Sequence, residues 1–213
     1  MAKAVNARRP GVRAARTAAT RRRMVDAAYT LFCERGYDAT KMTDIAGRAA
    51  VSVQTLYFTF GTKQQLLHEA FVAAVLGEPA LPPDQQPWFE TMRRARTTRG
   101  GLAAIVDGAV EIFQRVLPLV AAVRATAGLE ADEVWTGQQR MRREAFRGLL
   151  TMLAAIEPLR TEVSLERATD TMLVILGPDV FGLHTVDNGW TSQQYATWAT
   201  DALHHLLFAP PSA

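Results

Sequence analysis

The stretch that decides the fold is Ser52-Val-Gln-Thr-Leu-Tyr-Phe-Thr-Phe-Gly-Thr-Lys63, three aromatic residues and a lysine within twelve positions. A buried core would use Leu56, Phe58 and Phe60, and these are expected to face inward. Gln54, Thr55, Tyr57 and Lys63 then need another role. Ser52 is a natural helix N-cap and Gly61 a breaker, so the spacing predicts a short helix to about Phe58. Thr62 caps a further helix from Lys63 to about Leu76, with Leu66, Leu67, Ala70, Phe71 and Ala74 turned inward.

Upstream, Met24, Ala28, Leu31 and Phe32 recur at helical spacing from about Thr17 to Arg35, and Gly36 terminates that run. Thr40 is expected to cap a short second helix, 41–49, whose inward face is Met42, Ile45, Ala46 and Ala49. A tight turn at Ala50-Val51 leads back to Ser52. Two short helices joined by a tight turn and braced by a third make a helix-turn-helix, whose second member enters the major groove. The unassigned residues now acquire jobs. Gln54 suits a bidentate contact with an adenine edge, and Val53 or the Thr55 methyl suits a thymine methyl. Tyr57 and Lys63 suit phosphate, Lys63 from a helix N-terminus where free amides already favour an anion. Thr40, Lys41, Thr43, Ser52 and Thr59 complete the candidate DNA-contacting set.

Residues 17–71, with Ala28, Leu31, Phe32, Gly36 and Tyr37, then Thr40, Ile45 and Ala46, then Val51, Ser52, Leu56, Tyr57, Phe60 and Lys63, resemble the N-terminal domain of the TetR family of bacterial transcriptional regulators. Ala50 stands where the family usually has glycine, and Thr59 where it often has histidine or tyrosine. The resemblance implies a homodimer on a palindromic operator, in most cases a repressor released by a small molecule. It also implies a C-terminal domain that holds the ligand and dimerises through its last long helices, here around 165–187 and 193–208. Leu173, Leu176, Phe181, Tyr195, Trp198, Leu203 and Leu206 are the expected interface residues.

Charge is uneven along the 213 residues. Residues 1–23 carry eight basic and no acidic side chains, although the whole chain is only +3. Residues 1–16 therefore read as a basic flexible arm, and Arg21, Arg22 and Arg23 as phosphate or minor-groove contacts beside the first helix. Residues 17–76 are the expected DNA-binding domain and the proline-rich 77–87 a linker. Residues 88–213 read as a helical ligand-binding and dimerisation domain, with a central helix from Leu102 toward Ala125 whose polar stripe is Asp107, Glu111 and Arg115. Glu111 and Arg115 are spaced for an internal ion pair. The class is all-α.

Trp88, Met92, Phe113, Trp135, Met141, Phe146 and Met172, with Asp107, Glu111 and His184 as polar contacts, are candidates to line a pocket for a largely apolar ligand. The single cysteine, Cys33, reads as a half-buried apolar residue in a reducing cytoplasm, and no apolar run is long enough to span a membrane. Catalytic glycine-serine elbows, phosphate-binding glycine loops and metal-binding clusters are absent, so neither an enzyme nor a cofactor or metal is expected. The competing readings are a nucleoid-type protein that binds DNA without sequence preference through its arm, and a regulator that activates.

Overall fold

The computed structural model describes residues 11–124 and 129–208, with side chains left undescribed at 12, 13 and 129–135. Helix α1 spans Val12–Arg35, α2 Met42–Arg48, α3 Val53–Phe60 and α4 Lys63–Leu76. A single 3-10 turn, Pro83–Gln85, precedes α5, Pro87–Arg93, and then α6, Thr98–Arg124, α7, Leu129–Ala154, and α8, Leu165–Ile175. Helix α9, Pro178–Gly182, runs into a π-helical turn, Leu183–Asp187, and α10, Ser192–Leu207, closes the described chain. An isolated bridge between Leu159 and Phe208 is the one extended pairing among the described residues.

Helix α1 begins five residues before the expected Thr17. The alanines at 14, 15, 18 and 19 are strong helix formers and carry the helix into what the charge pattern marked as arm. The arm proper, residues 1–10, lies outside the described residues.

Two apolar clusters form the interior. The first gathers α1 to α4, including Met24, Leu31, Phe32, Ile45, Leu56, Phe60, Leu66 and Phe71. Its remaining wall is the C-terminal half of α6, Val116, Leu119, Val120 and Val123. The second packs the N-terminal half of α6 with α5, α7, α8, α9 and α10. Helix α6 is therefore one rod shared by two cores, and it stays helical through Pro118. Cys33 is half-buried at the edge of the first cluster, and burial pushes its thiol up to about 11.

Residues 77–87, expected as a linker, are tied down at their end. Gln86 is buried and its amide donates to the carbonyls of Leu81, Leu76 and Val75 at 3.0, 3.4 and 3.5 Å. The Trp88 indole donates back to the Gln86 oxygen at 3.0 Å. Trp88 in turn lies on Gly108 of α6 so closely that a Cβ there would stand 2.3 Å from the indole. Glycine at 108 is a packing requirement.

The expected Glu111 and Arg115 pair is not formed. The Arg115 guanidinium turns to α4 and donates to the carbonyls of Ala74 at 2.7 Å and Val75 at 3.5 Å. The Tyr29 hydroxyl donates to the Arg115 carbonyl at 2.8 Å. An unpaired helix end is the stronger claimant for this arginine, because exposed i, i+4 ion pairs contribute only tenths of a kcal/mol.

Candidate nucleic-acid interface

Helix α3 is held by the two residues one turn apart that face the core, Leu56 and Phe60. Ser52 caps it, its Oγ accepting from the Thr55 amide at 3.1 Å, as the sequence indicates. The capped helix runs two residues past the expected Phe58. Phe58 is 92% exposed rather than inward. An inward set at 56, 58 and 60 is a strand alternation. At about 100° per residue, Phe58 lies about 200° round the helix from Leu56 and must point away from the core.

The outward face of α3 thus carries Gln54, Thr55, Tyr57 and Phe58, with Val53 half-buried against the core at its start. The Thr59 hydroxyl donates to the Thr55 carbonyl at 2.8 Å. Lys41 and Thr43 are exposed at the start of α2. The turn between α2 and α3 demands a left-handed residue, and Ala50 supplies it at φ 53°. A side chain in that region costs about 1 kcal/mol that glycine would not.

Thr40 and Lys63 are turned inward. Thr40 is 1% exposed and its hydroxyl donates to the carbonyls of Gly36 at 2.7 Å and Leu31 at 3.1 Å. It does not cap α2; Lys41 is the N-cap residue and makes no side-chain cap bond. The Lys63 ammonium donates to the carbonyls of Tyr37 at 2.9 Å and Thr40 at 3.2 Å and sits over the Tyr37 ring at 4.1 Å. Both residues fasten the α1–α2 connection to the start of α4, so they position the reading helices. The carbonyls at the end of α1 and in the connection after it outcompete solvent for these donors.

Two of the three clustered arginines also have partners inside the chain. Arg21 pairs with Glu69 at 2.8 Å and stands over the Phe60 ring at 4.7 Å. Arg22 pairs with Glu78 and, at 3.9 Å, with Asp26. Arg23 is exposed.

The expected pocket residues are not gathered in one place. Met92, Phe113, Phe146 and Met172 are buried members of the second core. Asp107, Glu111 and Met141 face outward, and partial burial raises the Asp107 carboxyl above its ordinary range. Trp88 is half-buried in its contact with Gly108, and the side chain of Trp135 lies outside the described residues. His184 is stacked on Trp190 at 4.3 Å and tilted against Trp198 at 4.7 Å, with its Nδ1 buried and unpaired. A methionine or aromatic at helical spacing fills core by default, and sequence alone does not separate the two uses.

Of the expected interface residues, Leu176, Phe181, Tyr195 and Leu203 are buried in the chain's own core. Leu173 and Trp198 are half-buried and Leu206 is exposed. The inward face of α8 is Ala168, Met172 and Ile175, which turns Val174 out. Val174, Leu183 and Val186 are the exposed apolar side chains of this region that the sequence reading missed, and helical phase from Met172 would have found Val174.

No described helix is long and apolar enough to cross a membrane, and no group of three or more metal-ligating side chains is gathered among the described residues.

Residues 24–70 match the family described as bacterial regulatory proteins, tetR family. No curated protein sequence matches the chain. Among solved structures, TylP, a TetR regulator from Streptomyces fradiae, is 25% identical, with 92% of this chain and 89% of that one covered at a TM-score of 0.66. NalD, the secondary repressor of the MexAB-OprM efflux pump in Pseudomonas aeruginosa, is 20% identical, covering 91% and 98% at a TM-score of 0.65. The regulator FadR from Bacillus subtilis, in complex with stearoyl-CoA, is 17% identical, covering 85% and 96% at a TM-score of 0.69. With Leu56 and Phe60 anchoring α3, Ser52 capping it and α1 and α4 bracing it, residues 24–70 are a TetR-family helix-turn-helix domain, carried on the helical fold that such regulators share.

Proposed function

We propose that this protein is a transcriptional repressor that binds a palindromic operator as a homodimer and is released by a small molecule. The observation that carries the reading is the outward face of α3, where Gln54, Thr55 and Tyr57 are exposed on a helix anchored by Leu56 and Phe60. Gln54 offers an amide to an adenine edge and Thr55 a hydroxyl and a methyl. Tyr57, Lys41 and Thr43 flank them as phosphate contacts. Thr40 and Lys63 hold these elements in register.

Dimerisation is supported by the exposed apolar residues Val174 of α8, Leu183 and Val186 of the π-helical turn and Leu206 of α10. A small-molecule effector is supported by the stearoyl-CoA complex of FadR, and a choline complex of a regulator from Saccharomonospora viridis shares the fold at a TM-score of 0.67. For a largely apolar ligand, Phe113, Phe146 and Met172 of the second core are the candidate contacts.

The test is selection of genomic fragments by the purified protein at near-physiological salt, followed by sequencing. An enriched palindrome, with half-sites about one helical turn apart, is the expected result. Broad recovery without a motif, and affinity that collapses with salt, would instead identify a nonspecific DNA-binding protein.

A further inference from the structure

Phe58 is the most exposed of the large apolar side chains described, at 92%. It follows Gln54 by four residues, so the two share one face of α3, a turn apart, with Tyr57 beside them. A phenyl ring left in water forgoes roughly 2 kcal/mol of burial. A polar residue would serve the isolated helix better. We infer that Phe58 is a specificity-determining residue that packs against the 5-methyl group of a thymine in the major groove, next to the base edge met by Gln54. This rests on the operator-binding reading above.

The chemistry favours a base over the backbone. Phe58 has no donor to offer a phosphate, whereas its neighbour Tyr57 has one. The thymine methyl is the apolar group that a major-groove edge presents. One helical turn advances about 5.4 Å and one base step about 3.4 Å, so the thymine should lie one or two steps from the pair that Gln54 reads.

The experiment uses the full-length protein and a pool of DNA duplexes with a randomised centre. The enriched duplex is resynthesised with uracil in place of each thymine in turn, which removes one methyl group and nothing else. Affinities are then measured for the parent protein and for Phe58→Ala and Phe58→Leu. At one position in each half-site, the parent should lose about fourfold in affinity, the value of burying one methyl-sized group. Phe58→Ala should be indifferent to that exchange, and Phe58→Leu should keep part of the sensitivity. The melting temperatures of both variants should match the parent's, because the side chain touches solvent. Equal methyl sensitivity in the parent and Phe58→Ala, or a uniform loss on every duplex, would overturn the inference and leave the operator reading standing. If no duplex is enriched at all, both fall.

Discussion

The C-terminal ends of α4 and α8 are closed in the same way, by a half-buried arginine from a neighbouring long helix. At α4 the four last carbonyls are all met. Gly77 donates to Ala73 at 3.0 Å, Arg115 to Ala74 and Val75, and Gln86 to Val75 and Leu76. At α8, Leu176 and Gly177 amides reach Met172 and Val174 at 2.8 and 3.1 Å. Arg142 of α7 donates to the carbonyls of Leu176 at 2.5 Å and Leu173 at 3.4 Å, and the Tyr195 hydroxyl of α10 donates to Ile175 at 2.6 Å. Unmet carbonyls inside a protein are costly, so each end recruits donors from whatever packs beside it.

The difference lies in where the donors come from. Arg142 and Tyr195 belong to the same core as α8, and their bonds hold the body to itself. Burial pulls the Arg142 guanidinium down to about 10, against the opposing attraction of Asp179 and Tyr195. Arg115 and Gln86 instead reach across from the body to α4, the last helix of the N-terminal head. Gln86 is steadied by Trp88, and Trp88 by Gly108. The α4 cap is therefore a joint that ties α5 and α6 to α4. The donors at α8 come instead from α7 and α10, within the second core.

Breaking the body cap should have the largest effect. Arg142→Met is expected to lower stability by about 2–3 kcal/mol in denaturant unfolding, because two part-buried carbonyls lose their donor. Its effect on DNA affinity at a temperature where the protein remains folded should be small. The joint should behave the other way. Arg115→Met is expected to cost about 1–2 kcal/mol, since Gln86 still serves Val75 and Leu76, yet it should weaken operator binding measurably. An unchanged operator Kd in that variant would mean that α4 keeps its place without the arginine. A milder break in the body, Tyr195→Phe, removes one hydrogen bond to Ile175 and should cost about 1 kcal/mol with no change in DNA affinity.

The smallest expected change sharpens the contrast from within the head. Ala50→Gly relieves the left-handed alanine at φ 53° and should stabilise the protein by about 0.5–1 kcal/mol in thermal unfolding, without altering the sequence preference. A loss of stability would show that the alanine methyl packs usefully in the turn.

The head was largely legible before the structure. Ser52 and Thr62 cap α3 and α4, and Gly36 and Gly61 end α1 and α3, because these signals act through the backbone a few residues away. Phe58 departs from the expected inward set because alternate residues share a face in a strand but not in a helix. Thr40 and Lys63 are expected at the surface, but Thr40 bonds the carbonyls of Leu31 and Gly36 at the end of α1, and Lys63 those of Tyr37 and Thr40, which the folded α1–α2 connection brings to it from far along the chain. In the body the helices were legible but their faces were less so. Val174, Leu176, Phe181 and Tyr195 are all large and apolar, and composition does not say which of them meets the core.

What the sequence by itself determined is the set of helices, the helix-turn-helix and the outward placement of Gln54, Thr55 and Tyr57 on its second member, since local caps, breakers and a 3.6-residue period suffice for these. Only the tertiary structure decided that α6 serves two cores, that Arg115 and Gln86 close α4, and that Lys63 and Thr40 brace the head from inside. Those outcomes depend on which unmet carbonyls and apolar faces meet after long stretches of chain are brought together, and no local pattern records that meeting.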